Sequence, residues 1–334
     1  MIGARFLSAG SIWRRQCSWL LVGCFMFLLP TALLAAAPSA RELLDSGHAD
    51  EALRILTPLA TGNDAAAYNY LGRVYFELRD WDNAVRYCER ATQLAPNNAE
   101  FQLWLGRSYG EKADSAGPLT AYSLARKSVA AFETAHALDR HSLAIARDLA
   151  EYYGTAPSIV GGGTTRALAL AAEIAPEYPS TAAWIRAMVA SHDGDNEQAE
   201  REYEQSIRLD HDSAAANLEY TRYLKGRKDW KGFDQTMERA LRSPRIRPVD
   251  RFDAAERLLK ADRNLAEAAC QVRGYIQSGH PEEDAPLFRA HLVLGDILVK
   301  TGDTEQAAAE YRAALALASS YRPAVDALRR LGKR

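Results

Sequence analysis

The chain has 334 residues, 48% hydrophobic and 25% charged, an ordinary globular composition with ample apolar content for a core. Formal net charge is −2; the first 36 residues hold Arg5, Arg14 and Arg15 and no acid, which leaves 38 basic and 43 acidic residues, net −5, in the body. A mildly acidic body argues against nucleic acid as the partner, because phosphate backbones demand clustered positive charge.

Residues 1–37 read as a targeting segment outside the fold. Arg14-Arg15 precede an apolar run from about Trp19 to Ala37, interrupted by Pro30 and closed by Ala35 to Ala37. A signal peptide is the expectation, with the body exported to the periplasm or envelope. Cleavage after Ala37 would leave Pro38 first, which signal peptidase disfavours, and cleavage after Ala36 would set Leu34 at the third position upstream. The alternative is an uncleaved anchor, since about twenty apolar residues almost span a bilayer; any membrane contact would then run through this segment alone. Leu21-Val22-Gly23-Cys24 fits a lipobox, yet Phe25 to Leu34 are apolar where a lipoprotein tether is polar. The residues around Arg14-Arg15 fit twin-arginine export poorly.

Residues 40–59 form a first helical hairpin: Leu43-Leu44, a turn at Gly47 to Asp50, then Ala52, Leu56 and Leu59. The next unit, 65–98, is clearer. Tyr68, Leu71, Gly72 and Tyr75 share one helix face at i, i+3, i+4, i+7. Ala84, Cys88, Ala91 and Leu94 form the stripe of a second helix, Asp82 offers an N-cap and Pro96 stops it. Leu71-Gly72-Tyr75 returns 34 residues later as Leu105-Gly106-Tyr109. Unit 99–142 carries about ten extra residues between Glu111 and Leu124, expected to lengthen its helices. The following unit has Leu149, Ala150 and Tyr153, then Ala156 to Thr165 with three consecutive glycines, then Ala167, Ala171 and Ile174. Later second helices are anchored at Ala199/Tyr203 (unit 180–213), Phe233/Met237, Ala266/Cys270 and Ala307/Tyr311 (unit 288–320). Residues 321–334 read as a terminal capping helix with a solvated basic end.

This 34-residue self-similarity resembles the tetratricopeptide repeat (TPR) family. The resemblance implies an all-α, right-handed α-solenoid of about eight TPR-like helix hairpins over 38–334. One hairpin cannot bury its own apolar face, so neighbours must stack on it. The family resemblance also implies a non-catalytic scaffold that holds a protein or peptide in a concave groove lined by first helices. In that register the groove candidates are Asn69, Arg73, Glu77, Arg107, Glu111, Arg147, Glu151 and Arg222, beside Phe76 and Leu103. The row Arg73, Arg107, Arg147, Arg222 has two readings. One is a set of guanidinium forks for an acidic protein or peptide partner. The other is that each arginine pairs with Glu77, Glu111 or Glu151 and only holds the stack. The lysine–asparagine clamp of chaperone-binding TPR domains is absent.

No enzyme, cofactor or metal site is expected. Gly161-Gly162-Gly163 lacks the lysine and preceding strand of a phosphate-binding loop and reads as a tight connection with Thr164 as N-cap. The seven histidines show no metal spacing, and Glu282-Glu283-Asp284 reads as exposed turn charge. Cys88 and Cys270 fall on apolar faces far apart, as buried small hydrophobes without a disulfide. Trp81, Trp104, Trp184 and Trp230 read as packing. A rival function is a small-molecule or lipid-binding protein of an envelope transport system, with its pocket near the insertion and the triglycine. A second is a membrane-anchored assembly factor.

Overall fold

The computed structural model describes residues 40–60 and 62–332; the signal, anchor and lipidation readings fall outside them, as do Lys333 and Arg334. Among the described residues there are seventeen α-helices. They run as hairpins: α1 (Ala40–Asp45) with α2 (Ala49–Leu59), α3 (Ala65–Glu77) with α4 (Trp81–Leu94), α5 (Ala99–Asp114) with α6 (Pro118–Leu138), and α7 (Leu143–Thr155) with α8 (Thr164–Ile174). The series continues with α9 (Pro179–His192) and α10 (Asn196–Leu209), α11 (Ala214–Arg227) and α12 (Trp230–Arg242), α13 (Pro248–Ala261) and α14 (Leu265–Gln277), and α15 (Leu287–Thr301) and α16 (Thr304–Leu317), followed by α17 (Arg322–Leu331). Consecutive helices pack on one another along the chain, which makes an all-α helical-repeat solenoid.

The hairpins share two local devices. An aspartate caps the second helix in four of them: the Asp80, Asp195, Asp229 and Asp303 carboxylates each accept a backbone N–H in the first turn of α4, α10, α12 and α16. Such a cap is worth about 1 kcal/mol. The cap of α4 is thus Asp80, not Asp82, which lies two residues further on, inside the helix, and pairs with Lys112 at 2.7 Å. The second device explains the Leu-Gly pair. A Cβ on Gly72 would lie 2.4 Å from Cys88 Sγ, on Gly106 2.5 Å from the Phe132 ring, and on Gly295 2.4 Å from the Tyr311 ring. Glycine lets the first helix approach the second until the partner side chain fills that space. The extra residues of the third hairpin lengthen its helices: α5 and α6 have 16 and 21 residues, where α3 and α4 have 13 and 14.

Two anchor assignments are corrected. Leu59 is 50% exposed, and α2 instead buries Ala52 and Leu56. In α14 the buried positions are Ala268, Ala269, Gln271, Val272 and Tyr275, while Ala266 and Cys270 are exposed. Asn264, the N-cap of α14, stands in the left-handed region at φ 43°.

The solenoid curls until its ends meet. Leu43, Leu44, Leu56 and Leu71 from the first two hairpins share one core with Phe288, Ala314, Tyr321 and Ala324. Phe288 and Tyr321 pack edge to face at 4.8 Å. The Asp50 carboxylate accepts the Ser319 N–H at 3.0 and 3.1 Å. Helix α17 joins this seam through Tyr321 and Ala324, while Arg322, Asp326, Arg329 and Arg330 are exposed on its other face. Among the described residues no helix is long and apolar enough to cross a membrane.

Candidate functional site

Closure turns the concave groove into a lumen bordered by first helices, and the arginine row lies on it. Every arginine of the row already holds a carboxylate. Arg73 on α3 bonds Glu100 at 2.6 Å and Glu283 Oε1 at 2.6 Å. Arg107 on α5 bonds Asp148 of α7 at 2.5 Å and sits 3.9 Å from Asp284. Arg147 on α7 reaches Glu219 of α11 at 3.5 Å, and Arg222 on α11 reaches back to Glu151 at 2.8 Å. Arg222 also bonds Glu219 at 2.6 Å. The ladder continues with Arg257–Glu219 at 3.3 Å and Arg289–Glu256 at 2.8 Å.

Aromatic side chains support the forks. The Trp104 ring lies 4.8 Å from the Arg73 guanidinium and 4.6 Å from that of Arg107, so one indole backs both. Trp184 stands under Arg147 at 4.5 Å. Both tryptophans are buried, so packing and arginine support are the same contact.

The structure separates the sequence candidates. Arg73, Glu77, Arg107, Arg147, Glu151 and Arg222 come together on the lumen, and Glu111 is exposed at one of its mouths. Asn69 does not join them: it is 1% exposed, inside the helix packing, and its amide nitrogen has no hydrogen-bond partner. Of the three glutamates expected beside the row, Glu151 alone bonds one of its arginines, Arg222. The other partners are Glu100, Asp148, Glu219 and Glu283. Glu282-Glu283-Asp284 is not simply exposed turn charge, because the Glu283 side chain is 12% exposed against Arg73.

The lumen holds more carboxylates than guanidinium groups, and its electrostatics show it. Burial pushes the Glu77 carboxyl up to about 8; Arg289 and Arg107 pull it down, while Glu283 and Asp284 push it further up. Asp253 on α13 is pushed up to about 6 by burial, with Arg257 opposing and Glu256 adding to the rise. Glu219 behaves oppositely: despite burial, Arg257, Arg222 and Arg147 hold it below the usual range.

Two hollows flank the ion-pair layer. One, of about 520 Å³, is lined by Arg41, Glu100, Trp104, Arg107 and the 281–284 segment. The other, of about 700 Å³, is lined by Phe76, Phe132, Tyr152, Pro157 and Val160 with Arg107, Asp148 and Asp284. Arg107 and Asp284 border both. The triglycine connection forms part of the second wall, and it is a built structure. A Cβ on Gly162 would lie 1.9 Å from the Ala156 carbonyl oxygen. The Tyr152 hydroxyl lies 2.7 Å from Ala125 O and 2.9 Å from Val160 O, and Arg166 donates to Gly161 O at 2.6 Å. The residue at the N-cap of α8 is Gly163, not Thr164, and no side chain caps it. Among the described residues no group of histidine, cysteine, aspartate and glutamate could hold a metal.

Comparison with known proteins agrees with this architecture. The tetratricopeptide repeat family model matches residues 65–98 and again 288–321. The chain therefore carries tetratricopeptide repeats at these two places. Among solved structures, yeast Tom70 aligns with 12% identity over 90% of this chain and 65% of its own, at a TM-score of 0.51. A tetratricopeptide repeat protein from Parabacteroides merdae aligns with 14% identity over 82% of this chain and 100% of its own, at a TM-score of 0.40. The C-terminal part of a TPR repeat-containing protein from Cytophaga hutchinsonii gives 15% identity over 86% of this chain and 98% of its own, at 0.42. Among curated proteins, no sequence matches the chain significantly. TPR repeats are generally protein-interaction scaffolds, and the likeness to Tom70, at 12% identity, speaks for the fold alone.

Proposed function

We propose that the chain is a non-catalytic scaffold of the bacterial envelope that holds an acidic protein or peptide segment on its lumen face. The observation that carries this reading is the arginine row: four guanidinium groups on the first helices α3, α5, α7 and α11, two of them backed by Trp104, each in a geometry that already grips a carboxylate. Such a face reads carboxylates by fork geometry in a partly desolvated setting. The charged N-terminus followed by an apolar run, residues 1–37, supports export.

The test is crosslinked capture from envelope extract with the tagged full chain and with the variant Arg107→Glu, Arg222→Glu. A specific protein recovered by the parent and lost by the folded variant supports groove binding. Equal recovery by both moves the contact off this face.

A second reading is a small apolar ligand in the 700 Å³ hollow. Its favouring observation is the wall of Phe76, Phe132, Tyr152, Pro157 and Val160, beside the triglycine connection. Saturable thermal stabilisation by a lipid or metabolite would support it.

A further inference from the structure

The connection between α14 and α15 carries a short turn that enters the lumen. The Ala285 N–H donates to Glu282 O at 3.0 Å, which sets Glu283 and Asp284 at the two tip positions. Tyr275, fully buried, anchors the turn: its hydroxyl donates to Ala285 O at 2.6 Å and accepts from Glu282 N at 2.9 Å. Pro281 and Pro286 flank it and restrict the backbone on both sides. Arg289 donates to the Asp284 carbonyl at 3.0 Å. From this tip Glu283 grips Arg73 at two points and Asp284 faces Arg107.

We propose that this turn is an internal plug: an acidic partner segment binds Arg73 and Arg107 by replacing Glu283 and Asp284, and the tip withdraws as it does. The inference rests on the groove reading above. Its physical ground is the charge balance of the 520 Å³ hollow. Of the six carboxylates along that wall, Glu282, Glu283 and Asp284 come from the turn, against Asp45, Glu100 and Asp139 from elsewhere. With the turn seated, the wall carries surplus negative charge and repels an acidic segment. With the tip withdrawn, Arg73 keeps Glu100 and Arg107 keeps Asp148, but Arg73 Nε and Nη2 and the Arg107 Nη1 edge that faced Asp284 become open to an incoming carboxylate. A tethered occupant also acts at an effective concentration on the order of millimolar, so a weak free competitor is excluded.

The experiment uses the full chain and a fluorescein-labelled hexapeptide, Pro-Glu-Glu-Asp-Ala-Pro, copying residues 281–286, read by anisotropy at low salt. The control peptide has Gln, Gln and Asn in place of the acids. The variant Glu283→Gln, Asp284→Asn should bind the acidic peptide at least about tenfold more tightly than the parent. Adding Arg107→Gln should abolish that gain, raised salt should weaken it, and the neutral peptide should not bind. Equal binding by parent and folded variant overturns the plug and leaves the groove reading standing. Failure of both folded proteins to bind the acidic peptide overturns the plug and removes carboxylate recognition from the groove reading as well. If the double variant does not fold, hydrogen exchange at amides 282–285 of the parent, with saturating peptide, reads the same event. Faster exchange supports displacement of the tip, and unchanged exchange overturns it.

Discussion

Arg73 and Glu283, 210 residues apart, form a two-point ion pair in which Arg73 Nε donates to Glu283 Oε1 at 2.6 Å and Nη2 donates to Oε2. Their side chains are 6% and 12% exposed. Burial works against the charge on Arg73, but the hydrogen bond and charge of Glu283, with the charge of Glu100, outweigh it and raise its pKa. The pair ties the second hairpin to the α14–α15 connection across the lumen.

Removing one partner strands the other. Glu283→Ala should cost about 3 kcal/mol, at the low end of the range for a broken buried pair because Glu100 still reaches Arg73. Arg73→Met with Glu283→Ala should recover much of that loss. Urea denaturation at neutral pH measures both. An unchanged midpoint for Glu283→Ala would mean that the pair does not form in solution.

Glu77 makes stability depend on pH. Its carboxyl is raised from 4.5 to about 8, so between those values the folded chain holds a proton that the unfolded chain has released. The unfolded state then binds fewer protons, and stability falls as pH rises from about 4.5 to 8, levelling off above. Glu77→Gln should flatten this dependence and raise the melting temperature at pH 8 more than at pH 5. A parallel shift at both pH values would place Glu77 in solvent.

The Gly72 contact is testable through its partner. Gly72→Leu should cost roughly 1–3 kcal/mol by overpacking. Gly72→Ala should be destabilising alone and be relieved by Cys88→Ala, because the added Cβ meets Cys88 Sγ at 2.4 Å. Thermal denaturation of the single and double variants gives the coupling, and additive effects would contradict the contact.

The aspartate caps should behave uniformly. Asp303→Ala should cost about 1 kcal/mol, and Asp303→Asn much less, since asparagine also accepts the N-terminal N–H. Equal costs for the two would show that charge, not capping, is what α16 needs.

The helical solenoid was legible because its signals are local. Leu71, Gly72 and Tyr75 recur at a fixed period, and small residues mark where helices approach. The register of α14 was not. Ala266, Ala268, Ala269 and Cys270 are all small and apolar, so their chemistry does not say which of them face inward. The arginines could be placed on the inner face by repeat register, but their partners could not. Arg147 pairs with Glu219 and Arg222 with Glu151, so α7 and α11 bond across α9, a juxtaposition set by curvature summed over several hairpins. The same summation brings Leu43 and Leu44 to Tyr321 and seats Glu283 on Arg73. Asn69 shows the opposite limit: it shares the register of Arg73, yet the packing encloses it.

The central claim is that a partner segment sits inside the lumen. The most direct measurement is photo-crosslinking in intact cells from a benzophenone amino acid placed at Phe76, which lines the lumen, or at Leu119, which is 91% exposed and lines neither hollow. A discrete protein adduct from Phe76, absent from Leu119 and reduced by Arg107→Glu, is the expected result. Adducts from Leu119 with none from Phe76 would contradict it and place the binding surface outside the ring of first helices.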